Sequence, residues 1–216
     1  MARHKVVVVP WELIALVLAT TLVLVESQDQ SGFISIDCGS STSYTDASYG
    51  INYVPDAGFI DSGESKGVSA PYKTNLLTQF ETVRSFPEGA KNCYTLEPQQ
   101  PGVEQFLIRA RFMYGNYDLK SKNPEFDLYI GVNFWMTVTI SAPDSVFRAE
   151  MIHNSSADVI NVCLVNKGSG TPFISVLELR PIADKRLYAP ETGSMRLYSR
   201  LNLGSNSSYR QFSIPY

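Results

Sequence analysis

Apolar and polar side chains alternate with a period of two along most of the chain after residue 32. Such alternation is typical of a β-strand that has one face against a core and the other toward solvent. In the segment 134–140, Phe134, Met136, Val138 and Ile140 share the predicted core face, and Trp135 lies on the other. The pattern predicts nine strands, at 33–37, 77–86, 93–96, 106–113, 126–132, 134–140, 146–153, 159–165 and 173–181.

The predicted strand 106–113 carries charge on one of its two sides. Phe106, Ile108 and Phe112 fall on one side, whereas Arg109 and Arg111 fall on the other. This arrangement predicts a half-buried antiparallel strand whose arginines face solvent.

Turns rich in Pro and Gly separate the predicted strands, and no amphipathic helix longer than a turn or two is found. Many short strands with such connections indicate a β-sandwich or jelly roll. The segment 39–72 differs, since it is polar, weakly periodic and rich in Ser, Gly, Asp and Tyr. A connection of this length is usually functional or held in place by its own aromatic residues.

The first 27 residues have the form of a secretory leader. A basic start at residues 3–5 precedes an uncharged apolar run at 13–25, and small and polar residues follow before Gln28. A membrane anchor is the alternative, but the run 13–25 makes a helix of only about 20 Å, against a bilayer core of about 30 Å. We therefore predict a cleaved signal peptide at 1–27, a secreted mature protein and no transmembrane span after the leader.

Composition and charge restrict the partners of the chain. Of its 216 residues 44% are hydrophobic and 18% are charged, which fits a packed domain rather than a disordered chain. The net charge is −3 and no basic run follows the N-terminus, so no nucleic-acid partner is expected. A phosphate-binding glycine loop is missing from the sequence, so we expect neither a nucleotide nor another cofactor.

Cysteines and glycosylation sequons agree with a secreted chain. The cysteines are Cys38, Cys93 and Cys163, an odd number, so we expect one disulfide and one buried free thiol. The sequence leaves the pairing open, and the spacing fits no zinc motif, so no metal is expected. Asn154 and Asn206 begin Asn-Ser-Ser sequons and are predicted glycosylation sites.

An internal similarity bears on the domain organisation. The segment 36–44 resembles the segment 201–209, with an offset of 165 residues from Gly39 to Gly204. The stretch 181–190 between the two copies is typical of a linker. We therefore predict one module at 28–183, followed at 184–216 by a linker and the truncated start of a second module. A coincidental match of two Ser-rich stretches is the alternative.

Six segments, in order, resemble the malectin-like ectodomain of plant leucine-rich-repeat receptor-like kinases. They are Phe33-Ile-Ser-Ile-Asp-Cys-Gly39, Asn92-Cys-Tyr-Thr-Leu96, and the segments 106–118, 124–132, 162–166 and 173–181. The resemblance implies an all-β fold, a malectin-like and jelly-roll-like β-sandwich with the start of a second such module. It also implies display outside the plasma membrane. In complete members leucine-rich repeats, a membrane span and a kinase follow.

Catalysis is not expected from the residues. After removal of the leader His153 is the sole histidine, and the sequence contains no nucleophile elbow. Glycoside hydrolysis needs two carboxylates, but Asp37, Asp56 and Asp127 fall at strand ends, in turns or on outward strand positions, where structural roles are common. A glycoside-active enzyme therefore remains the less favoured alternative.

Aromatic residues carry the predicted binding site. Tyr114, Tyr117 and Asp118 directly follow the strand 106–113, and Tyr44 and Tyr72 lie in the long polar segment. Sugar rings stack on exposed aromatic faces while their hydroxyls pair with polar groups. The same tyrosines would alternatively pack their loops onto the sandwich. We predict a non-catalytic extracellular module that binds a cell-wall saccharide, or alternatively a peptide or a co-receptor ectodomain.

Overall fold

The computed structural model describes residues 30–182 and 193–196. The predicted signal peptide, Asn206 and most of the predicted linker and second module lie outside the described residues. The chain divides into two compact units, Met1–Gln30 and Ser31–Tyr216, and all of the described strands belong to the second. None of the described helices is long and apolar enough to cross a membrane.

The described residues form a sandwich of β-sheets with three single-turn 3-10 helices, which confirms the predicted all-β class. The strands are β1 (Ile34–Asp37), β2 (Tyr44–Thr45), β3 (Asn52–Pro55), β4 (Glu64–Gly67), β5 (Thr82–Ser85), β6 (Lys91–Leu96), β7 (Gln105–Met113), β8 (Glu125–Ile130), β9 (Asn133–Thr139), β10 (Val146–Asn154), β11 (Ile160–Ser169), β12 (Phe173–Ile174), β13 (Val176–Pro181) and β14 (Ser194–Arg196).

One layer is a seven-stranded sheet in the order β14-β10-β7-β13-β1-β3-β2. The facing layer contains a four-stranded sheet, β6-β11-β8-β9, and a three-stranded sheet, β12-β5-β4. Pairing is antiparallel throughout, except between β1 and β3. Side chains from all three sheets meet in one hydrophobic core, where the ring of Phe112 contacts Phe126, Phe147 and Phe173 at centroid distances of 5.6, 6.2 and 6.1 Å.

The central strand β7 is buried on both faces, so the predicted solvent exposure of its arginines is wrong. Arg109 forms ion pairs with Glu150 and, at 3.0 Å, with Glu178, and Arg111 lies 3.4 Å from Glu178. The guanidinium of Arg111 also lies 5.0 Å from the ring centroid of Phe80. The polar face of this strand is therefore an internal ion network.

Glu178 is the common acceptor of that network. The hydroxyl of Tyr53 donates to it over 2.5 Å, in addition to the ion pairs with Arg109 and Arg111. Burial by itself raises the pKa of Glu178, but the nearby guanidinium groups of Arg111, Arg180 and Arg109 lower it to about 2. The carboxylate consequently stays ionised inside the protein.

Two predicted strands are interrupted. Of the predicted strand 77–86, the first part is a 3-10 turn, Thr78–Phe80, and only Thr82–Ser85 pairs in a sheet. The predicted strand 173–181 divides at Ser175 into β12 and β13, which belong to different layers. The division at Ser175 occurs where the chain passes from one sheet to the other, a change that alternation within a sheet does not report.

A bulge in β9 reverses the predicted faces of its first residues. Leu128 pairs with Met136 and Tyr129 pairs with Phe134, so Trp135 has no opposite residue. Trp135 is 2% exposed and points inward, whereas Phe134 is 54% exposed, so the predicted faces of these two residues are wrong. Val132, the last residue of the predicted strand 126–132, lies instead in the turn between β8 and β9 and is 85% exposed.

The long polar segment 39–72 is folded against the sandwich around Asp56. The side chain of Asp56 accepts hydrogen bonds from Gly39 N (3.0 Å), Arg84 Nε (2.8 Å) and Tyr94 Oη (3.0 Å). Gly39 has φ +84°, and a Cβ at this position would lie 2.4 Å from the carbonyl oxygen of Val83. Only glycine fits here, which fixes where the loop leaves β1.

The cysteines form one disulfide and one buried free thiol, as predicted. The sequence left the pairing open, and the bridge joins Cys93 in β6 to Cys163 in β11. Cys38 is buried and free, and burial raises the pKa of its thiol. The disulfide therefore fastens an edge strand of the four-stranded sheet to its neighbour.

Candidate ligand-binding site

Tyr114 and Tyr117 lie directly after β7 as predicted, but the core covers their rings. They are 0% and 7% exposed, and their ring centroids lie 5.5 Å apart and 6.0 and 5.3 Å from that of Phe173. Gly115 sits so close to Val68 that an added Cβ would lie 2.5 Å from its side chain. The exposed stacking faces expected of these two tyrosines are therefore not present, because the turn is packed inward.

Asp118 organises the same turn. Its carboxylate accepts hydrogen bonds from the hydroxyl of Tyr114 and from the backbone nitrogen of Lys120 at 3.2 Å. The backbone of Asn116 and of Leu119 has positive φ, at +47° and +58°. These bonds hold a turn that L-residues seldom adopt, which gives Asp118 a structural role in this structure.

Tyr44 and Tyr72 belong to a second, smaller hydrophobic cluster built on Ile51, Tyr53 and Phe80. Both are half-buried. The ring of Tyr44 stacks on Tyr53 at 5.6 Å, and its hydroxyl donates to Asp37 over 2.8 Å. The structure thus separates the five predicted residues into two groups rather than bringing them into one cleft.

Asp37, the partner of Tyr44, is an ionisable group held away from water. Burial raises the pKa of its carboxyl to about 7, even though Tyr44 and Thr82 donate hydrogen bonds to it. Asp56 and Glu81 add repulsion that acts in the same direction. The carboxyl of Asp37 therefore changes its charge state near neutral pH rather than in acid.

A cleft of about 520 Å³ opens where the turn between β8 and β9 meets β10 and β14. Its wall is contributed by Ile130, Asn133, Phe134, Trp135, Met151, His153, Gly193, Ser194 and Arg196. Strand β14 forms part of this wall because it pairs with β10 at three positions, Met151–Arg196, Ile152–Met195 and His153–Ser194.

Two aromatic residues of opposite exposure define the apolar part of this cleft, which we call the β9 cleft. Phe134 presents much of its ring to solvent. The same ring contacts that of Tyr129, with 5.6 Å between the two ring centroids. Trp135 is buried, and its indole Nε1 has no hydrogen-bond partner. An unpaired buried N–H is costly, and at the wall of a cleft it marks a position for an acceptor.

Polar groups of β10 and β14 complete the β9 cleft. Nδ1 of His153 is hydrogen-bonded to Oγ of Ser194 at 2.7 Å, which ties the two strands together. Burial lowers the pKa of His153. Arg196 is exposed and forms no ion pair within the part of the chain that the structure describes.

Sequence reasoning missed this cleft. The adjacent Phe134 and Trp135 were a usable signal, but a strict period of two turns Phe134 inward and Trp135 outward. His153, near the end of β10, also lies in the cleft wall. Within residues 30–182 and 193–196 the structure contains no group of three His, Cys, Asp or Glu side chains able to hold a metal ion.

Asn154 is the last residue of β10, one residue beyond the predicted end of that strand. Its Oδ1 accepts a hydrogen bond from Gln105 Nε2 at 3.0 Å, and its backbone nitrogen donates to the carbonyl of Gly193. It is half-buried, and its glycosylation stays a prediction.

Comparison with known families gives a match to the malectin-like domain over residues 36–215. The Arabidopsis thaliana leucine-rich repeat receptor-like serine/threonine-protein kinase At2g19230 is 49% identical over 187 residues, which cover 85% of this chain and 21% of the relative. The Arabidopsis thaliana LRR receptor-like serine/threonine-protein kinase IOS1 is 41% identical over 202 residues, covering 92% and 22%. The chain thus spans about a fifth of the length of these relatives.

Solved structures agree on the fold. The plant receptor-like kinase FER has a TM-score of 0.58 at 17% identity, covering 70% of this chain and 42% of that chain. The ANXUR2 extracellular domain of Arabidopsis thaliana has a TM-score of 0.55 at 18% identity, covering 69% and 41%. A calcium-binding mutant of Bacteroides uniformis beta-glucuronidase 2 has a TM-score of 0.56 at 15% identity, covering 69% and 18%.

Proposed function

The chain belongs to the malectin-like domain family, and from this membership and the β9 cleft we propose that it acts as an extracellular, non-catalytic module that binds a saccharide. In a receptor ectodomain such binding would sense a cell-wall glycan. The observation that carries the proposal is that one cleft is lined by both the exposed ring of Phe134 and the buried indole N–H of Trp135, which has no hydrogen-bond partner.

The shape and chemistry of the β9 cleft suit a sugar ring. A volume of about 520 Å³ falls within the range of small-molecule sites. The face of Phe134 would stack on the apolar C–H face of a pyranose, and Trp135, Asn133 and His153 would hydrogen-bond its hydroxyl groups. This division between one apolar wall and a few polar groups is usual for binding sites.

The same cleft supports the non-catalytic part of the proposal. Glycoside hydrolysis uses two carboxyl groups, one as acid and one as base or nucleophile. No Asp or Glu is among the described residues that line the cleft. The bacterial β-glucuronidase shares the fold with this chain, but similarity at 15% identity does not transfer its chemistry.

Of the residues singled out from the sequence, Tyr44 and Tyr72 keep partial exposure and stay proposed ligand contacts of a secondary surface. We assign Tyr114 and Tyr117 to the support of the turn that carries Asp118. Tyr114, Tyr117 and Asp118 would then affect binding only through the turn that they hold in place. Tyr44 and Tyr72 would contact the ligand directly.

A protein or peptide partner is the second candidate. The observation that favours it is the apolar tip of the turn between β8 and β9, where Val132 is 85% exposed next to Phe134. Exposed apolar residues at the rim of a cleft are common in protein-binding surfaces.

A glycan array probed with the full chain, secreted from a eukaryotic host, tests the proposal. Phe134→Ala should reduce every saccharide signal several-fold, since a stacking contact contributes on the order of 1 kcal/mol. Tyr49→Ala removes another partly exposed aromatic side chain outside the cleft and is the matched control. If the folded chain binds no saccharide at millimolar concentration, the protein-binding alternative should replace this proposal.

A further inference from the structure

Strand β11 contains an Asn-Val-Cys sequence, Asn161 to Cys163, on the outer face of the four-stranded sheet. Of the three cysteines only Cys163 has an asparagine two residues before it. The transferase that attaches N-linked glycans recognises the hydroxyl of a Ser or Thr at the second position after the acceptor Asn. A thiol there takes the place of that hydroxyl and is a weak hydrogen-bond donor. The sequence is therefore a weaker acceptor that depends on a free S–H group.

The folded structure has room for a glycan on Asn161. The neighbouring Ile160 and Val162 point into the core, whereas the side chain of Asn161 is exposed beside the exposed Thr95 of β6. Its Oδ1 accepts a hydrogen bond from Oγ1 of Thr95 at 3.3 Å, and its Nδ2 donates no hydrogen bond within the described residues. Because a glycan replaces one hydrogen on Nδ2, the folded sheet would lose no hydrogen bond.

Cys163, the residue that the transferase would recognise, is also half of the disulfide. It lies directly opposite Cys93 of β6, and on its other side it pairs with Tyr129 of β8. A disulfide sulfur has no S–H to donate, and a strand paired on both sides cannot enter the peptide site of another enzyme. Glycan transfer and the disulfide therefore require incompatible states of Cys163 at the moment of transfer.

We propose that Asn161 is a further N-glycan acceptor and that closure of the Cys93–Cys163 disulfide prevents its use. The chain accepts the glycan while Cys163 is a free thiol, and it no longer does so once the bridge has formed. A chain glycosylated first can still close the bridge, since Asn161 points to solvent. This inference rests on the predicted entry into the secretory pathway and is independent of saccharide binding by the β9 cleft.

Two reactions compete for the nascent chain. In glycan transfer, Nδ2 of Asn161 attacks the anomeric carbon of an oligosaccharide that is linked to a lipid diphosphate. The new C–N bond replaces the C–O bond to the diphosphate, the lipid diphosphate leaves, and Nδ2 loses one proton. In bridge closure, the thiols of Cys93 and Cys163 give two electrons and two protons to the disulfide of an oxidoreductase, which becomes a dithiol.

The order of the residues makes this competition close. Cys93 precedes Cys163 by 70 residues, which is about 4–14 s of synthesis at about 5–20 residues per second. Cys93 is therefore already available when Cys163 arrives. Because disulfides form in seconds to hours depending on the oxidant, the redox state of the compartment should decide what fraction of chains is glycosylated at Asn161.

The test is translation of the full chain in the presence of microsomes, with Asn154→Gln and Asn206→Gln introduced so that any remaining glycan reports Asn161. The readout is a gel shift of one glycan that endoglycosidase removes. We expect a small glycosylated fraction with oxidised glutathione and a several-fold larger fraction with dithiothreitol. The shift reports a modification of the nascent chain, so it does not require that a variant folds.

Cysteine variants in the same background separate the two parts of the proposal. Cys93→Ser combined with Cys38→Ser leaves Cys163 without an intramolecular partner and should give the larger fraction in both redox conditions. Cys38→Ser alone removes the free cysteine but not the bridge; it is the matched control and should keep the redox dependence. Cys163→Thr supplies a hydroxyl and should give the highest fraction, whereas Cys163→Ala should give none.

Each outcome supports or overturns a stated part. No glycan on the Cys38→Ser/Cys93→Ser chain under dithiothreitol overturns Asn161 as an acceptor. Equal glycosylated fractions in both redox conditions, without the cysteine substitutions, overturn the control by the disulfide. The chain that keeps Asn154 and Asn206 reports delivery into the microsomes, and the absence of every glycan from it overturns the inference together with the predicted leader.

Discussion

Replacing Asp37 by Asn should change how the stability of the protein depends on pH. Burial raises the pKa of Asp37 from its ordinary value of 3.8 to about 7 in the folded state. The folded state therefore holds one more proton than the unfolded state between these two values. Stability contributed by this group is fully present below pH 3.8 and is lost as the pH rises through 7.

The size of the effect follows from the shift. A raise of about three pH units at about 1.4 kcal/mol each gives an upper limit of about 4 kcal/mol for the stability lost between pH 4 and pH 8. Asn keeps an oxygen that accepts the hydrogen bond of Tyr44, but it does not ionise. The Asp37→Asn variant should therefore match the wild type near pH 4 and exceed it near pH 8.

Urea unfolding followed by tryptophan fluorescence measures this effect at pH values from 4 to 8. Glu178, whose pKa is lowered to about 2, is present in both proteins, so its contribution cancels in the difference. Burial lowers the pKa of His153, but this residue is present in both proteins and its effect cancels in the difference. Asp61→Asn, at an exposed position, controls for the loss of one acidic side chain. Parallel pH profiles for the wild type and Asp37→Asn would refute the buried-carboxylate account.

Three other predictions concern the ion network, the core and the sequon at Asn154. Glu178→Ala should destabilise the fold by about 3–5 kcal/mol in urea unfolding, because it leaves the buried guanidinium groups uncompensated; equal stability of Glu178→Ala and an exposed Glu97→Ala control would contradict the ion network. Phe112→Ala should cost about 3–5 kcal/mol as a core deletion, seen as a lower melting temperature, and a loss below about 1 kcal/mol would show that the site is not packed. Asn154 should carry a glycan, detected by mass spectrometry as Asn-to-Asp conversion after glycosidase treatment, and the unmodified peptide alone would contradict it.

The alternation of side chains predicted most of the sandwich, because inward and outward positions along a strand differ in polarity wherever one face meets solvent. It failed at Arg109 and Arg111, because the residues that cover them come from distant parts of the sequence that local periodicity does not register. Glu178 pairs with Arg109 and Arg111, and Tyr53 and Phe80 contact Arg111. The inserted residue Trp135 shifted the phase of β9, and a single sequence gives no sign of such an insertion.

The tyrosines of the predicted site show a different limit. The local sequence around a tyrosine beside a turn is the same whether its ring stacks on a ligand or packs on the core. Tyr114 and Tyr117 pack on Phe173, a contact set by the tertiary path of a segment more than fifty residues away. The β9 cleft likewise depends on β14, whose pairing with β10 was not predicted.

That pairing has a mechanical consequence. Strand β14 is joined to β10 at three positions, whereas β10 is joined to β7 at nine. Tension applied to the chain beyond Arg196 would unzip the three-residue contact first and leave the rest of the sandwich intact. Because Ser194 and Arg196 form part of the cleft wall, the same pull would open the cleft. A ligand bound in the cleft and a force on the chain would therefore have opposite effects on the contact between β14 and β10.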